Sequence, residues 1–345
     1  MVSVDKILTR STRAARKALA TRWLGLCRRF GTPPENSPLG SLHYLLTEYS
    51  EPGPAAGVTP YKMEPGSFLV ERRRLSLPRN RGPALSVTLI GPRDHTPVRC
   101  VVLSPGLGAH PNANRYLEEH LASHGFLVAR PRHKGSDWMA VTLKTPLGAF
   151  TRSEFQRRLE ELNSVVDALT EGTFGPKFEE RELALLGHSF GALTCSVLAG
   201  LPVRELEAPR ARDFGALVAL SPYGDSFPTR RLGIEVEGFQ NLASPVLFMS
   251  GSKDELFTLG KGSKTHLEPF RLLRERADCR HVVVGNTRHG NFSEMFGWVR
   301  LETRVMVNST VTAFLQAQLL ECPDCRDYLE NRLSLAAFEY DSWAL

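Results

Sequence analysis

The segment Leu183–Ala192 constrains the fold more strongly than any other part of the sequence. It is Leu-Ala-Leu-Leu-Gly-His-Ser-Phe-Gly-Ala, an apolar run that leads directly into a Gly-x-Ser-x-Gly motif. A short apolar run before such a motif predicts a buried strand, and the residues after it predict a helix. Gly187 and Gly191 fit this turn because larger side chains would collide with the strand and the helix. The pattern therefore predicts that Ser189 is presented at the edge of a sheet.

Short apolar runs alternate with helical patterns along the rest of the chain. Arg73–Leu77 and Ala84–Ile90 flank a turn-prone stretch and predict an antiparallel entry to the sheet. The other predicted strands are 100–103, 126–129, 183–186, 216–220, 246–249 and 281–284, and the predicted helices are 112–123, 153–169, 191–200, 266–277 and 301–319. Such alternation predicts an α/β fold with a mainly parallel central sheet and helices on both faces.

Positive charge is concentrated at the start of the chain. Residues 1–30 contain eight Lys or Arg and one Asp, whereas the formal net charge of all 345 residues is +6. The remaining chain is therefore close to neutral, which argues against a nucleic-acid partner. If residues 4–30 are helical, Leu19, Trp23 and Leu26 share one face opposite the arginines. This segment has three alternative roles: it docks on the protein, it contacts a membrane surface peripherally, or it targets the chain to an organelle.

A stretch rich in Pro and Gly follows the basic segment. From Gly31 to about Gly66 the sequence contains seven prolines, which predicts a linker or an irregular cover. Residues 1–66 are therefore predicted to be a basic amphipathic extension with a linker. Residues 67–345 are predicted to form the α/β catalytic domain.

The cysteines and the apolar runs indicate the cellular compartment in which the protein is expected. Cys100 and Cys195 lie in apolar segments and are expected to be free and buried, whereas Cys322 and Cys325 form a lone C-x-x-C with too few partners for a zinc site. No run approaches 18 uninterrupted apolar residues, and Arg22 interrupts the only candidate signal region. We expect a cytoplasmic protein, with peripheral membrane contact as the alternative.

Ser189 becomes a nucleophile only if a base and an acid stand beside it. His289 follows the last predicted strand on a Gly-containing loop, where such a base is needed. Asp254 directly follows the strand 246–249 and is the preferred acid, while Asp225, after the preceding strand, is its rival. The order Ser, acid, His along the chain is the one that accompanies a Gly-x-Ser-x-Gly turn.

A negative charge that develops on a substrate oxygen needs preorganised N–H donors. The amide of Phe190, the residue after Ser189, is one candidate donor. The other is Leu107, in the loop Ser104–Ala109 that leaves an early strand. We therefore expect an oxyanion hole made by Leu107 and Phe190.

Four segments together resemble a known family. They are Pro105–Ala109, Leu121–Phe126, Gly187–Gly191 and His289–Phe292, and the chain is similar over about residues 70–320 to the platelet-activating-factor acetylhydrolase and dienelactone-hydrolase-like branch of α/β-hydrolases. The resemblance implies an α/β-hydrolase fold, cleavage of short or lipid-like acyl esters, and no metal or organic cofactor.

The chain departs from this branch in places that bear on the site. Pro105 stands where such proteins commonly have His, and Ser221 stands where the acetylhydrolases carry their acid. The dienelactone enzymes proper use Cys as nucleophile, whereas this chain has Ser189.

The residues predict a serine esterase that acts on a small-molecule ester through an acyl-enzyme on Ser189. Trp138, Phe150 and Phe292 are candidate pocket residues, although aromatic side chains are more often part of the core. Two alternatives remain open. A non-catalytic relative of the same fold would bind a ligand without turnover, and an acyltransferase would pass the acyl group to an acceptor other than water. The sequence leaves acyl length and oligomeric state open.

Overall fold

The structure is a computed structural model that describes residues 64–79, 82–144, 150–207, 212–256, 262–294, 299 and 301–332. The predicted basic helix at 4–30 and nearly all of the predicted linker lie outside these residues. Within them, Gly66 N donates to Ser123 Oγ over 2.8 Å and Phe68 N donates to Ser123 O over 3.1 Å. Packing against the α/β domain is therefore already established at Gly66, next to the predicted boundary.

Eight strands form a single sheet in the described part of the chain. They are β1 (Val70–Leu77), β2 (Leu85–Pro92), β3 (Cys100–Ser104), β4 (Leu127–Pro131), β5 (Leu183–His188), β6 (Ala216–Leu220), β7 (Val246–Gly251) and β8 (Cys279–Val284). Their spatial order is β1-β2-β4-β3-β5-β6-β7-β8. β2 is antiparallel to both of its neighbours, and the other neighbouring pairs are parallel. The predictions of a mainly parallel sheet and an antiparallel entry are confirmed.

The helices connect these strands. They are α1 (Arg115–Ser123), α2 (Trp138–Lys144), α3 (Arg152–Glu171), α4 (Phe190–Leu198), α5 (Phe227–Leu232), α6 (Glu268–Leu273), α7 (Leu301–Leu319) and α8 (Pro323–Asp327). The predicted helix at 266–277 is wrong in its bounds, since α6 is shorter and follows a 3₁₀ turn at Ser263–Leu267. Pro269 explains why α6 begins at Glu268, because proline is tolerated in the first turn of a helix and disrupts its interior.

Side chains that alternate along the strands pack into two separate cores. Leu185 and Leu217 belong to the core that includes α3 and α4, whereas Leu186 and Val218 belong to the core that includes α1 and α7. Strands buried on both faces are typical of parallel sheets covered by helices. Each fully buried Leu or Phe contributes about 1.5–3 kcal/mol relative to an exposed one. The predicted helix layers on both faces are confirmed.

Helix α3 has well-defined ends. Thr151 precedes it in an extended conformation and its side chain accepts from Glu154 N, while Gly172 ends it with φ 81°. An N-cap hydroxyl satisfies one of the free N–H groups of the first turn, and glycine adopts a left-handed cap without a Cβ penalty. These caps fix the register of a 20-residue helix whose buried face carries Phe155, Arg158 and Leu162 toward the sheet.

The cysteines fall into two groups. Cys100, Cys195 and Cys279 are free and buried, as predicted for the first two. Cys322 and Cys325 are joined by a disulfide at the start of α8, a pairing that the sequence analysis did not predict. Among the described residues, none of the helices has the length and apolar character needed to cross a membrane.

His281 on β8 provides a test of the pH dependence of folding. Its Nε2 lies 3.0 Å from Ser250 Oγ, and burial, with a smaller effect of His266, lowers its pKa from 6.5 to about 3. The unfolded chain therefore binds a proton that the folded chain does not bind, so the stabilisation is present above about pH 6.5 and is lost as the pH falls below it.

We expect the free energy of unfolding to fall between pH 6.5 and 4, and His281→Gln to reduce the slope by up to about 1.4 kcal/mol per pH unit. Urea unfolding at half-unit pH intervals measures both slopes. Equal slopes for the two proteins would show that His281 does not titrate in this way.

Candidate active site

Ser189 occupies the strained turn that its motif predicts. It lies between β5 and α4 with φ 55° and ψ −118°, and it is 6% exposed. A Cβ on Gly187 would lie 2.3 Å from Gly191 O, and one on Gly191 would lie 1.9 Å from Ser104 O. Both positions therefore require glycine. A non-glycine residue with positive φ costs free energy and persists only where the surrounding structure enforces it.

The predicted base and acid come together at the carboxyl ends of neighbouring strands. Asp254 follows β7 and His289 follows β8, and His289 Nδ1 lies 3.0 Å from Asp254 Oδ1. Asp254 is fully buried and His289 is 3% exposed. Because a carboxylate only accepts, Nδ1 carries the proton and the other ring nitrogen, Nε2, is free to act as a base.

The rival acid is elsewhere. Asp225 lies near the surface, where its two carboxylate oxygens each accept from the Arg230 guanidinium over 2.5 Å. Its own N–H donates to Glu268. The geometry brings Asp254, and not Asp225, to His289.

A second histidine that the sequence analysis missed also contacts Asp254. His266 Nε2 lies 3.1 Å from Asp254 Oδ1, and His266 Nδ1 donates to Pro222 O. Both ring nitrogens therefore face atoms that only accept, which is the arrangement expected of a doubly protonated ring. No sequence motif marks His266, since it lies in a 3₁₀ turn without a distinctive pattern.

Asp254 and His266 shift each other's pKa values. Burial alone would raise the pKa of Asp254, but the nearby His266 and His289 outweigh it and hold the pKa well below 3.8. Burial likewise lowers the pKa of His266, but the Asp254 charge outweighs it and raises the pKa above 6.5. Asp254 is thus an ionised carboxylate held between two imidazoles.

Tyr223 stands between Ser189 and His289. Its Oη lies 3.3 Å from Ser189 Oγ and 3.1 Å from His289 Nε2. Within the described residues, the Ser189 hydroxyl has its hydrogen bond to Tyr223 and none to His289. The sequence analysis missed Tyr223, although it follows β6 directly, as Asp254 follows β7.

His188, the residue before Ser189, supports the loop that carries His289. Its Nε2 donates to His289 O over 3.0 Å. Burial, and to a smaller extent His289, lowers its pKa to about 3. His188 is therefore a neutral donor that fixes the backbone of His289.

The predicted oxyanion loop passes close to the nucleophile. A Cβ on Gly106 would lie 3.0 Å from His188 Nδ1 and 3.5 Å from Ser189 Cβ. Leu107 follows Gly106 and is half-buried, and among the described contacts its N–H has no hydrogen-bond partner. Phe190 is the first residue of α4, where N–H groups lack an intrahelical acceptor. The two predicted donors thus adjoin Gly106 and Ser189 along the chain, and neither amide has a hydrogen-bond partner among the described contacts.

A buried arginine joins the two sides of this predicted hole. Arg158 on α3 donates to Ser104 Oγ over 2.9 Å and to Pro105 O on the oxyanion loop. It also donates to Thr194 Oγ1 on α4 over 3.2 Å, and its guanidinium lies 4.6 Å from the centre of the Phe190 ring. Burial lowers its pKa to about 10, so Arg158 is charged at neutral pH.

The charge of Arg158 is connected to a carboxylate through two neutral groups. Ser104 Oγ lies 3.2 Å from His133 Nε2, and His133 Nδ1 lies 2.7 Å from Glu161 Oε2. Burial and then the Arg158 charge lower the pKa of His133 to about 4, so the ring is a neutral bridge. This network explains how a fully buried guanidinium is accommodated under the loop.

The three predicted pocket aromatics differ in position. Phe150 is 3% exposed and its ring lies 4.4 Å from that of Phe190, within the core. Phe292 is fully buried in the opposite core. Trp138 is half-buried on α2, and its backbone N–H donates to Ala109 O of the predicted oxyanion loop. Its buried indole N–H has no partner among the described residues. Burial favours a packing role for the two phenylalanines, and Trp138 is the one beside the loop.

Three side chains of the site also have the composition of a metal-binding group. Asp254, His266 and His289 offer ligand atoms within 4.8 Å of one another. Tetrahedral zinc ligands at about 2.05 Å from the ion would be about 3.3 Å apart. The observed 3.0 and 3.1 Å contacts to Asp254 Oδ1 are shorter than this separation and are the distances of direct imidazole–carboxylate contacts. The same atoms therefore fit an acid between two imidazoles.

No known protein-family profile matches this chain, and no curated protein matches its sequence. The functional assignment of this chain therefore depends on its own residues and their geometry.

Replacing Arg158 should destabilise the protein more than replacing its neighbour Arg157. Arg158→Met leaves the Ser104 and Ser136 hydroxyls and Pro105 O without a charged donor, and we expect the free energy of unfolding to fall by about 3 kcal/mol. The neighbouring Arg157 has a side chain that is 38% exposed and pairs with Glu154. Arg157→Met should cost less than about 1 kcal/mol. Equal losses in chemical denaturation would contradict the role of Arg158.

Proposed function

We propose that this chain is a serine hydrolase of the α/β-hydrolase fold that cleaves carboxylic esters through an acyl-enzyme on Ser189. The observation that carries the proposal is the strained strand-to-helix turn at Ser189, one hydroxyl group away from a His289–Asp254 pair. The order Ser189, Asp254, His289 along the chain supports the fold assignment, since it is the order of α/β-hydrolases. Fold alone does not establish an activity.

The site suits acyl transfer because each need of that reaction has a matching group. The strained turn presents Ser189 Oγ to the Tyr223 hydroxyl, and that hydroxyl in turn faces His289 Nε2, the ring nitrogen directed away from Asp254. Asp254 holds the proton of Nδ1 and stabilises the imidazolium that forms. The amides of Leu107 and Phe190 would accept the negative charge on the carbonyl oxygen.

The proposed reaction has two steps. Ser189 Oγ attacks the ester carbonyl while its proton passes toward His289, and the protonated His289 then donates a proton to the leaving alcohol. Water enters, loses a proton to His289 and releases the acid from Ser189. Each step returns the site to its starting protonation state. The resemblance of the motifs to esterases that act on short or lipid-like acyl groups favours such substrates.

Loss of the nucleophile and of the acid should have unequal effects. We expect Ser189→Ala to lower kcat for p-nitrophenyl esters by up to about 10⁶-fold. Asp254→Asn should lower it by about 10⁴-fold, because an amide supports the wrong tautomer of His289. Asp225→Asn makes the same chemical change at a surface ion pair and should leave kcat within about twofold. A series from acetate to palmitate measures activity and acyl preference together, and full activity of Ser189→Ala would refute the proposal.

Further measurements separate the alternatives. A fluorophosphonate labels an activated serine, so a binding protein without catalysis would remain unlabelled at Ser189. Added alcohols or amines that appear in the products would indicate an acyltransferase. A metal-dependent hydrolase that used Asp254, His266 and His289 as ligands would lose its activity in EDTA and keep it in Ser189→Ala.

A further inference from the structure

The hydroxyl of Tyr223 occupies the place between the nucleophile and the base. Its Oη is 3.3 Å from Ser189 Oγ and 3.1 Å from His289 Nε2, both within hydrogen-bond range. His289 Nδ1 carries a proton because it faces Asp254, so Nε2 accepts. Tyr223 therefore donates to His289 and accepts from Ser189. The three groups form one directed chain of hydrogen bonds from Ser189 to Asp254.

Tyr223 is held in this position by the backbone before it. Ser221 directly follows β6 with φ 51°, and its backbone N–H donates to Met249 O over 2.7 Å. Pro222 follows with a fixed φ, and its carbonyl accepts from His266 Nδ1. Because His266 also contacts Asp254, the acid of the site and the loop that carries Tyr223 are fixed by the same side chain.

The ring of Tyr223 is also enclosed. The residue is 1% exposed, and its ring centre lies 5.5 Å from that of His289 and 5.6 Å from that of His266. A Cβ on the next residue, Gly224, would lie 2.5 Å from Thr265 O, so the loop packs directly against the turn at Ser263–Leu267. Rotation of the ring out of the site would require this packing to open. The geometry therefore favours a hydroxyl that stays in place during the reaction over one that swings aside.

We propose that Tyr223 is a catalytic residue that relays the proton from Ser189 to His289. This inference rests on the proposed function of the site. As Ser189 Oγ forms its bond to the carbonyl carbon, the carbonyl π electrons move to the oxyanion and the Ser189 proton passes to Tyr223 Oη. The original Tyr223 proton passes at the same time to His289 Nε2. Tyr223 is neutral before and after the step, and the site gains one imidazolium and one oxyanion.

The surroundings of Tyr223 suit a relay that never ionises. Burial raises the pKa of Tyr223; the hydrogen bond between Tyr223 and Ser189 offsets part of this rise, and the charge of Asp254 adds to it. A phenolate is thus disfavoured, and the hydroxyl can only pass one proton on as it receives another. A neutral hydroxyl group that both donates and accepts is the minimum that such a step requires.

The test is Tyr223→Phe, which retains the buried ring and removes only the oxygen. A positioned proton-transfer group contributes about 10²- to 10⁴-fold, so we expect kcat/KM for p-nitrophenyl acetate to fall at least about 100-fold. The matched control is Tyr328→Phe, which removes the hydroxyl of another buried tyrosine, 3.4 Å from Ser309 Oγ on α7. The control should retain kcat/KM within about twofold. Activity of Tyr223→Phe equal to or above wild type would show that Tyr223 only obstructs the serine.

A second measurement needs no variant. The relay moves two protons in one step, so the dependence of kcat/KM on the fraction of D₂O should be a downward-bowed curve in the wild type. A straight line, the result for one proton, would overturn the relay even if Tyr223→Phe failed to fold. The rate of Ser189 labelling by a fluorophosphonate in the same solvent mixtures gives the same readout without hydrolysis.

Failure of the relay differs from failure of the proposed function. If Ser189→Ala and Asp254→Asn are inactive while Tyr223→Phe is active and the solvent curve is straight, the triad stands and the relay falls. If the wild type neither hydrolyses esters nor reacts with the fluorophosphonate, the serine is not activated and both proposals fall together.

Discussion

The candidate site depends on one buried negative charge. Asp254 is fully buried, and a carboxylate without compensation is too costly to hold in a protein interior. Two imidazoles supply the compensation, and each has a further contact that carries the constraint onward. His289 faces Tyr223, while His266 holds the carbonyl of Pro222 and so the loop of Tyr223. Neutralising the charge of Asp254 therefore fixes Asp254, His289 and the Tyr223 hydroxyl that lies between His289 and Ser189.

The other side of the nucleophile depends on a buried positive charge. Arg158 contacts the loop that carries Leu107 and the helix that begins at Phe190, so the two predicted oxyanion donors share one support. In the proposed reaction, a cation beneath these donors would favour negative charge on the substrate oxygen, as the carboxylate of Asp254 would stabilise the imidazolium that forms at His289. Nucleophilic attack at Ser189 would separate charge in the same direction.

The sequence predicted those parts of the structure that local rules determine. The turn at Ser189 and the positions of Asp254 and His289 follow from apolar runs and from residues that end strands, and the structure places them together. Asp225 was the rival acid in this pattern, and the structure pairs it with Arg230 while Asp254 contacts His289. Arg158 could not be predicted as part of the site because its periodicity is that of an ordinary helix, and its buried contacts join segments distant in sequence.

Tyr223 and His266 show why the other residues of the site could not be predicted from the sequence. Tyr223 follows a strand as Asp254 does, but a triad needs an acid at such a place, and a tyrosine matches no triad role. His266 acts through its two ring nitrogens, and their contacts depend on where β7 and the loop after β6 end in space.

In the proposed reaction His289 takes a proton, and two imidazolium rings whose centres are 6.2 Å apart would then share the carboxylate of Asp254. Repulsion between them would favour return of the proton to the leaving alcohol, the transfer that completes acylation.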